Sequence, residues 1–172
     1  SQLLDADLDR VSGVALRILS ENDSALDIPK EERHLASMHG KAARYSSTLR
    51  NGIADGLAIL GCYPGSCVNC TRWQTERVAE TVVREVLTDG DWIRWGSLDD
   101  QLPALSEAAP TVFLDVLEDT LGSSAQVFEE LFSQERGGPF GTIYVTGLLR
   151  ALEGLAWIDY CFPRSCLILG EL

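Results

Sequence analysis

Positive charge is scarce in the second half of this 172-residue sequence, and the shortage excludes one class of partner. The chain has 14 Lys and Arg residues against 26 Asp and Glu residues, a formal net charge of −12 at pH 7. Residues 95–135 contain nine acidic residues and no Lys or Arg. Nucleic-acid binding depends on clustered cations that neutralise phosphates. We therefore expect no nucleic-acid partner, and interpret 95–135 as a solvated acidic face or a docking face for a basic partner segment.

Histidines and cysteines are few, and their spacing is unfavourable for binding a metal ion. The two histidines, His34 and His39, are five positions apart, which on a helix separates them by about 140°. Among five cysteines, only Cys67 and Cys70 have the spacing of a zinc knuckle, and a structural zinc site needs two such pairs. We therefore predict no metal site and no cofactor.

Recognisable catalytic motifs are absent. The pair Gly40-Lys41 lacks the earlier glycine and the following Ser or Thr of a phosphate-binding loop, and no nucleophile elbow is present. Cys70, close to Arg72, is a candidate for a thiol with a lowered pKa, but no histidine lies nearby in sequence to act as its base. The sequence therefore predicts no catalytic residue, and we lean against an enzyme.

Long apolar runs and a signal-peptide pattern are also lacking. The uncharged stretch 56–68 contains Gly61 and Pro64 and is shorter than the ~20 apolar residues that a membrane span needs. Five cysteines cannot all pair with one another, which favours a reducing cytoplasm. Because the sequence starts at Ser1 and stops at Leu172 inside an apolar helical pattern, we expect it to be a piece of a longer protein.

Strand patterns are almost absent, whereas apolar residues recur three and four positions apart along most of the chain. Helices are predicted at about 3–20, 29–40, 45–60, 74–88, 97–121 (a hairpin that turns at Ala109-Pro110), 124–134, 143–157 and from Pro163 onward. Stacked helical hairpins form α-solenoids. We predict a single all-α domain over 1–172, favouring a HEAT- or armadillo-like α-solenoid segment, with an irregular compact helical domain as the alternative.

Three local patterns give expectations about packing. Ser97, with Asp100 three residues later, resembles a capping box that starts the hairpin. Gly52 and Gly56 lie one turn apart in a predicted helix, where a glycine costs about 1 kcal/mol relative to alanine, so we expect another backbone to approach there. We expect all four tryptophans to pack against the protein rather than form a ligand cage: Trp73, Trp92, Trp95 and Trp157.

A basic segment, 33–54, precedes the acidic half and contains no acidic residue. Its four cations are the predicted binding residues: Arg33, Lys41, Arg44 and Arg50. They are expected to receive an acidic partner or an anion, or else to be solvated or paired with the acidic half of the same fold.

Two functions follow from these patterns. The favoured function is a non-catalytic helical interaction or regulatory segment of a larger bacterial protein, whose partner is another protein or another domain of the parent chain. The alternative is a small-molecule sensor or enzyme with a pocket on a concave face, shaped by Gly52, Gly56 and the tryptophans.

Four runs of sequence carry a resemblance to other proteins: YSSTLRNG (45–52), DWIRWGSL (91–98), AAPTVFL (108–114) and TGLLRALE (146–153). They resemble helical-repeat regions of large bacterial multidomain proteins of unassigned function, which lie beside signalling or defence-type NTPase modules. The resemblance implies a helical fold and an interaction role, and it carries over no catalytic residue. The cysteine-containing loop at 61–72 lies outside it.

Overall fold

The computed structural model describes residues 3–36, 38–41, 43–134 and 143–172, and all regular structure in these ranges is helical. It contains α1 (Asp5–Leu19), α2 (Ser47–Cys62), α3 (Arg72–Leu87), α4 (Trp92–Ser97), α5 (Leu102–Ala108), α6 (Pro110–Ser124), α7 (Gln126–Ser133), α8 (Thr146–Ala156) and α9 (Phe162–Glu171). Short 3₁₀ turns lie at Ser24–Asp27, Arg33–Leu35, Pro64–Ser66 and Asp99–Gln101. The predicted all-α class is confirmed. None of the helices in these ranges is both long and apolar enough to cross a membrane.

Helix starts follow local chemistry, with one difference from the sequence prediction. The Asp91 side chain accepts a hydrogen bond from the Arg94 backbone N–H at 2.9 Å and so caps the short helix α4. Ser97 is the last residue of α4, and its hydroxyl accepts from the Asp23 backbone N–H at 2.8 Å. The predicted capping role of Ser97 is therefore wrong, because the chain completes a separate helix before the hairpin begins. Pro103 lies in the first turn of α5, where proline is tolerated.

The predicted helix over 29–40 is also wrong. Its described part contains only the 3₁₀ turn Arg33–Leu35 and further turns. Gly40 adopts a φ of +69°, the left-handed conformation that glycine accepts without strain. Between the helices predicted at 124–134 and 143–157, the glycines and proline of Gly137–Gly141 predict a loop, and these residues lie outside the described ranges.

The short helix α5 is the centre of the fold. It contacts α2, α3, α6 and α8, and its residues Leu102 and Leu105 are completely buried. Helices distant in sequence also meet at α1–α3, α3–α6 and α4–α7, and one continuous core includes residues from each of the α-helices α1 to α9. These contacts make one compact helical unit, and sequential stacking of hairpins is not confirmed.

Trp95 anchors this core from α4. Its ring is fully buried and meets Phe113 edge-on at a centroid distance of 6.2 Å and Phe128 at 5.2 Å. Trp92 is half-buried against the same core, with the Arg33 guanidinium 5.5 Å from its ring centre. The packing prediction is confirmed for these two tryptophans. It is wrong for two others, which expose most of their side chains: Trp73 and Trp157.

Close backbone approaches occur at glycines other than the predicted pair. A Cβ added at Gly52 or Gly56 would meet nothing within 4 Å, so the expected close approach at those positions is wrong. A Cβ on Gly61 would overlap the Ala108 carbonyl at the end of α5. A Cβ on Gly147 would overlap the Asp99 carbonyl in the turn before α5. These two glycines let α2 and α8 approach the two ends of the central helix.

We predict opposite effects for alanine at two glycines of the same helix. Gly61→Ala should lower the free energy of unfolding by about 1–3 kcal/mol, because α2 must move away from α5. Gly52→Ala should raise it by about 0.5–1 kcal/mol, because alanine has the higher helix propensity and the site is open. Urea denaturation of both variants checks this. Equal effects of the two substitutions would contradict the close contact at Gly61.

Candidate functional site

All four predicted binding cations have partners within the chain. Lys41 Nζ lies 2.9 Å from an Asp27 carboxylate oxygen, and Arg44 lies 3.9 Å from the Glu21 carboxylate. The Arg33 guanidinium donates to the Ile28 carbonyl at 3.1 Å and to the Gln134 side-chain oxygen at 2.8 Å. The structure therefore places these cations in separate contacts, and their role in binding a partner stays a prediction.

Arg50 differs from the other three because it is buried, with 7% of its surface exposed. Its Nη1 donates to the Glu21 carbonyl at 2.7 Å, and its Nη2 donates to the Ser97 carbonyl at 2.9 Å. Burial is the main cause that lowers the pKa of Arg50 from its ordinary value. The guanidinium thus fastens the segment after α1 and the end of α4 to α2. Its observed contacts are those of a packing residue.

We predict that Arg50→Met destabilises the fold, whereas Arg44→Met does not. Removing the Arg50 guanidinium leaves two partly buried carbonyls without their donor, which should cost about 1–3 kcal/mol. Arg44 forms a long, exposed ion pair and a surface contact with the neighbouring Tyr45 ring, so its replacement should change the free energy of unfolding by less than about 0.5 kcal/mol. Thermal and urea denaturation check both variants. Full stability of Arg50→Met would show that its two hydrogen bonds do not hold the fold.

A polar cavity of about 240 Å³ lies beside Arg50. Tyr45, Asp99, Asp100 and Tyr144 are among its lining residues. Neither the two glycines nor the tryptophans of the pocket hypothesis line it. Its volume lies below the roughly 300–1,000 Å³ typical of pockets that enclose a drug-sized ligand. The cavity suits at most a small polar molecule.

Asp99 is the carboxylic acid of this cavity whose pKa is shifted. Burial raises the pKa of Asp99 above its ordinary value of 3.8, and the neighbouring Asp100 adds to the rise. The Gly147 backbone N–H, which donates to Asp99 at 2.6 Å, opposes the rise. The carboxylate therefore positions the start of α8 at the cost of keeping a charge half-buried.

We predict that Asp99→Asn raises stability at pH 7. The amide oxygen can still accept from the Gly147 N–H, and it removes the buried charge. Because the folded-state pKa is raised, the native protein binds its proton more tightly than the unfolded chain. The buried charge of Asp99 therefore destabilises the wild type at neutral pH. This destabilisation is relieved as the pH falls through the raised pKa towards 3.8, where Asp99 becomes protonated. Urea denaturation at pH 7 and pH 4 should show the advantage of the variant shrinking at pH 4; an advantage independent of pH would contradict this.

Among the five cysteines, Cys67 and Cys70 interact with each other. Cys161 is buried, and Cys62 donates to the Glu107 carbonyl at 3.2 Å. In the part of the chain that the structure describes, no three His, Cys, Asp or Glu residues come together as potential metal ligands. The hypothesis of a lowered Cys70 pKa is wrong: burial, the Cys67 thiol and the Asp5 carboxylate all raise the pKa of Cys70.

The surface that sequence reasoning missed lies on α9 and the preceding turn. Ser165 and Ile168 are buried, whereas Phe162, Leu167 and Leu169 on the other sides of the helix are exposed. The α9 face, as we name this surface, consists of five large exposed side chains: Trp157, Tyr160, Phe162, Leu167 and Leu169. The available signal was the run Cys166 to Leu169, because a helix apolar on all sides is typical of a buried helix.

Arg164 shows why the α9 face carries no positive charge. Its guanidinium turns towards α6, where it donates to Asp115 at 2.7 Å and to Glu118 at 2.8 Å. These hydrogen bonds raise the pKa of Arg164. Three exposed acidic residues lie close to these side chains in sequence: Glu153, Asp159 and Glu171.

Comparison with known families, curated proteins and solved structures identifies no relative of this chain. No protein-family model, no curated protein and no solved structure matches the chain.

Proposed function

We propose that the protein is a non-catalytic helical interaction domain that binds an amphipathic helix on its α9 face. The partner helix belongs to another protein or to another domain of the parent chain. The single observation that carries the proposal is the exposure of five large side chains on α9 and in the turn before it: Trp157 is 85% exposed, Tyr160 66%, Phe162 53%, Leu167 69% and Leu169 45%.

The size of the α9 face supports this proposal. At these exposures, five side chains place on the order of 600 Å² of apolar surface in water, since large aromatic side chains bury roughly 150–250 Å² each. The largest apolar patch on a typical monomer measures about 300–600 Å² and is often functional. A standard interface buries about 800 Å² on each partner, so the face can supply the apolar centre of one.

The chemistry of the partner follows from the shape and border of the face. The exposed side chains of Phe162, Leu167 and Leu169 on α9 offer apolar surface to the apolar stripe of a second helix. The acidic border formed by Glu153, Asp159 and Glu171 favours Lys and Arg residues beside that stripe. We therefore commit to a basic amphipathic helix as the partner.

A HEAT-like context belongs to the same proposal. In such an array, each helical hairpin covers an apolar face of its neighbour. The α9 face is the surface on which a further hairpin would stack. All five cysteines are free thiols, which suits the reducing cytoplasm that we propose as the location.

We predict that the protein binds a basic amphipathic peptide through α9. Two synthetic helical peptides with the same leucine stripe, one flanked by Lys and one by Glu, provide the probes. Fluorescence anisotropy should show binding of the Lys-flanked peptide, and Leu167→Glu should weaken it at least tenfold, about 1.4 kcal/mol. A matched control, Val14→Glu, adds the same charge on α1 and should bind as the wild type does.

Three outcomes would overturn the proposal. Equal affinity for both peptides would remove the role of the acidic border. Unchanged binding by Leu167→Glu, with its melting temperature preserved, would place the site elsewhere. Light scattering that shows a wild-type dimer and a Leu167→Glu monomer would make the α9 face an interface between two copies of this chain instead.

The cavity beside Arg50 favours a second candidate function, the sensing of a small polar ligand. Three acidic residues (Asp23, Asp99 and Asp100) and two tyrosines line it, and the guanidinium of Arg50 is engaged by backbone carbonyls. This lining favours a small amine over an anion. A thermal-shift screen with small amines tests it, because a ligand that binds only the native state raises the melting temperature. A shift abolished by Asp100→Asn would support the second function over the first.

A further inference from the structure

The loop between α2 and α3 brings two cysteines together in a hydrogen-bonded turn. The Cys70 backbone N–H donates to the Cys67 carbonyl at 2.8 Å. Such a turn places the first and fourth Cα atoms within about 7 Å of each other, and a disulfide needs about 4.4–6.8 Å. The side chains of Cys67 and Cys70 are also within hydrogen-bond distance of one another. The backbone is therefore already arranged for a bond between the two sulfurs.

Both thiols are accessible to a small reagent. Cys67 and Cys70 are half-buried, and the two residues between them, Val68 and Asn69, are exposed. The Cys70 thiol donates to the Leu3 carbonyl at 3.3 Å, so it is the more constrained of the two. Cys67 is the thiol better placed to react first.

We propose that Cys67 and Cys70 form a thiol–disulfide exchange site that takes a small disulfide, such as glutathione disulfide, as its oxidant. The Cys67 thiolate attacks one sulfur of glutathione disulfide, which forms a mixed disulfide and releases one glutathione. The Cys70 thiolate then attacks the Cys67 sulfur and releases the second glutathione. The two protein thiols lose two electrons and two protons, and glutathione disulfide becomes two glutathiones.

The surroundings of Cys70 determine how fast the disulfide forms and how readily it is reduced. Burial, Cys67 and the carboxylates of Asp5 and Asp7 raise the pKa of Cys70, so its thiolate is a poor leaving group. The disulfide should therefore form slowly at neutral pH and resist reduction once formed. Its formation takes the Cys70 sulfur away from the Leu3 carbonyl and so removes one contact between this loop and the start of α1.

The site is tested by equilibrating the purified protein in buffers of glutathione and glutathione disulfide, followed by acid quenching, alkylation and peptide mass analysis. We expect a Cys67–Cys70 disulfide, with a rate that increases with pH. Cys70→Ser should instead retain glutathione on Cys67, since no second thiol resolves the mixed disulfide. The control variants Cys62→Ser and Cys166→Ser remove exposed thiols outside the turn and should keep the Cys67–Cys70 bond.

Two results would overturn the inference. One is glutathione on Cys62 and Cys166 while Cys67 and Cys70 stay alkylated as thiols in every buffer. The other is a stable glutathione adduct on Cys67 in the wild type, which would show that Cys70 does not reach the mixed disulfide. Neither result depends on whether the α9 face binds a helix.

Discussion

Coverage of the short helix α5 is the constraint on which the rest of the fold depends. Seven residues cannot bury two leucines alone, so α2, α3, α6 and α8 pack around them. Two of these neighbours approach so closely that only glycine fits, Gly61 at one end of α5 and Gly147 at the turn before it. Arg50 completes the arrangement, because its guanidinium donates hydrogen bonds to the carbonyls of Glu21, after α1, and Ser97, at the end of α4. It thereby ties both positions to α2.

The proposed function of the α9 face follows from its exposure at the outside of this packed unit. The helix α9 buries Ser165 and Ile168 and leaves Phe162, Leu167 and Leu169 in water. Water does not favour such a surface, and a partner helix removes it from solvent. Arg164 holds α9 on α6 through carboxylates, so this helix is fixed in place without covering its outer side. A rigid apolar helix with an acidic border is a suitable receptor for a basic amphipathic helix.

Periodicity alone predicted the helical class and most of the long helices, because apolar spacing reports which side of a helix is buried. It did not separate α4 from α5, since the cap at Asp91 and the bond from Asp23 to Ser97 depend on contacts distant in sequence. The spacing of Gly52 and Gly56 within one helix did not identify the glycines at close backbone contacts. Those glycines, Gly61 and Gly147, meet backbone from other parts of the chain. The exposure of Trp157 was missed for the same reason: sequence shows that a residue is apolar, and the fold decides whether anything covers it.

The central claim is that α9 presents an uncovered receptor surface for a helix. Methyl-labelled NMR spectra recorded while the Lys-flanked peptide is added test it most directly, because each methyl group reports on its own surroundings. The account predicts that the largest shifts occur at Leu167 and Leu169, with none at Ile143 beside the Arg50 cavity. Shifts confined to Ile143 and its surroundings, with the methyl groups of α9 unchanged, would contradict it.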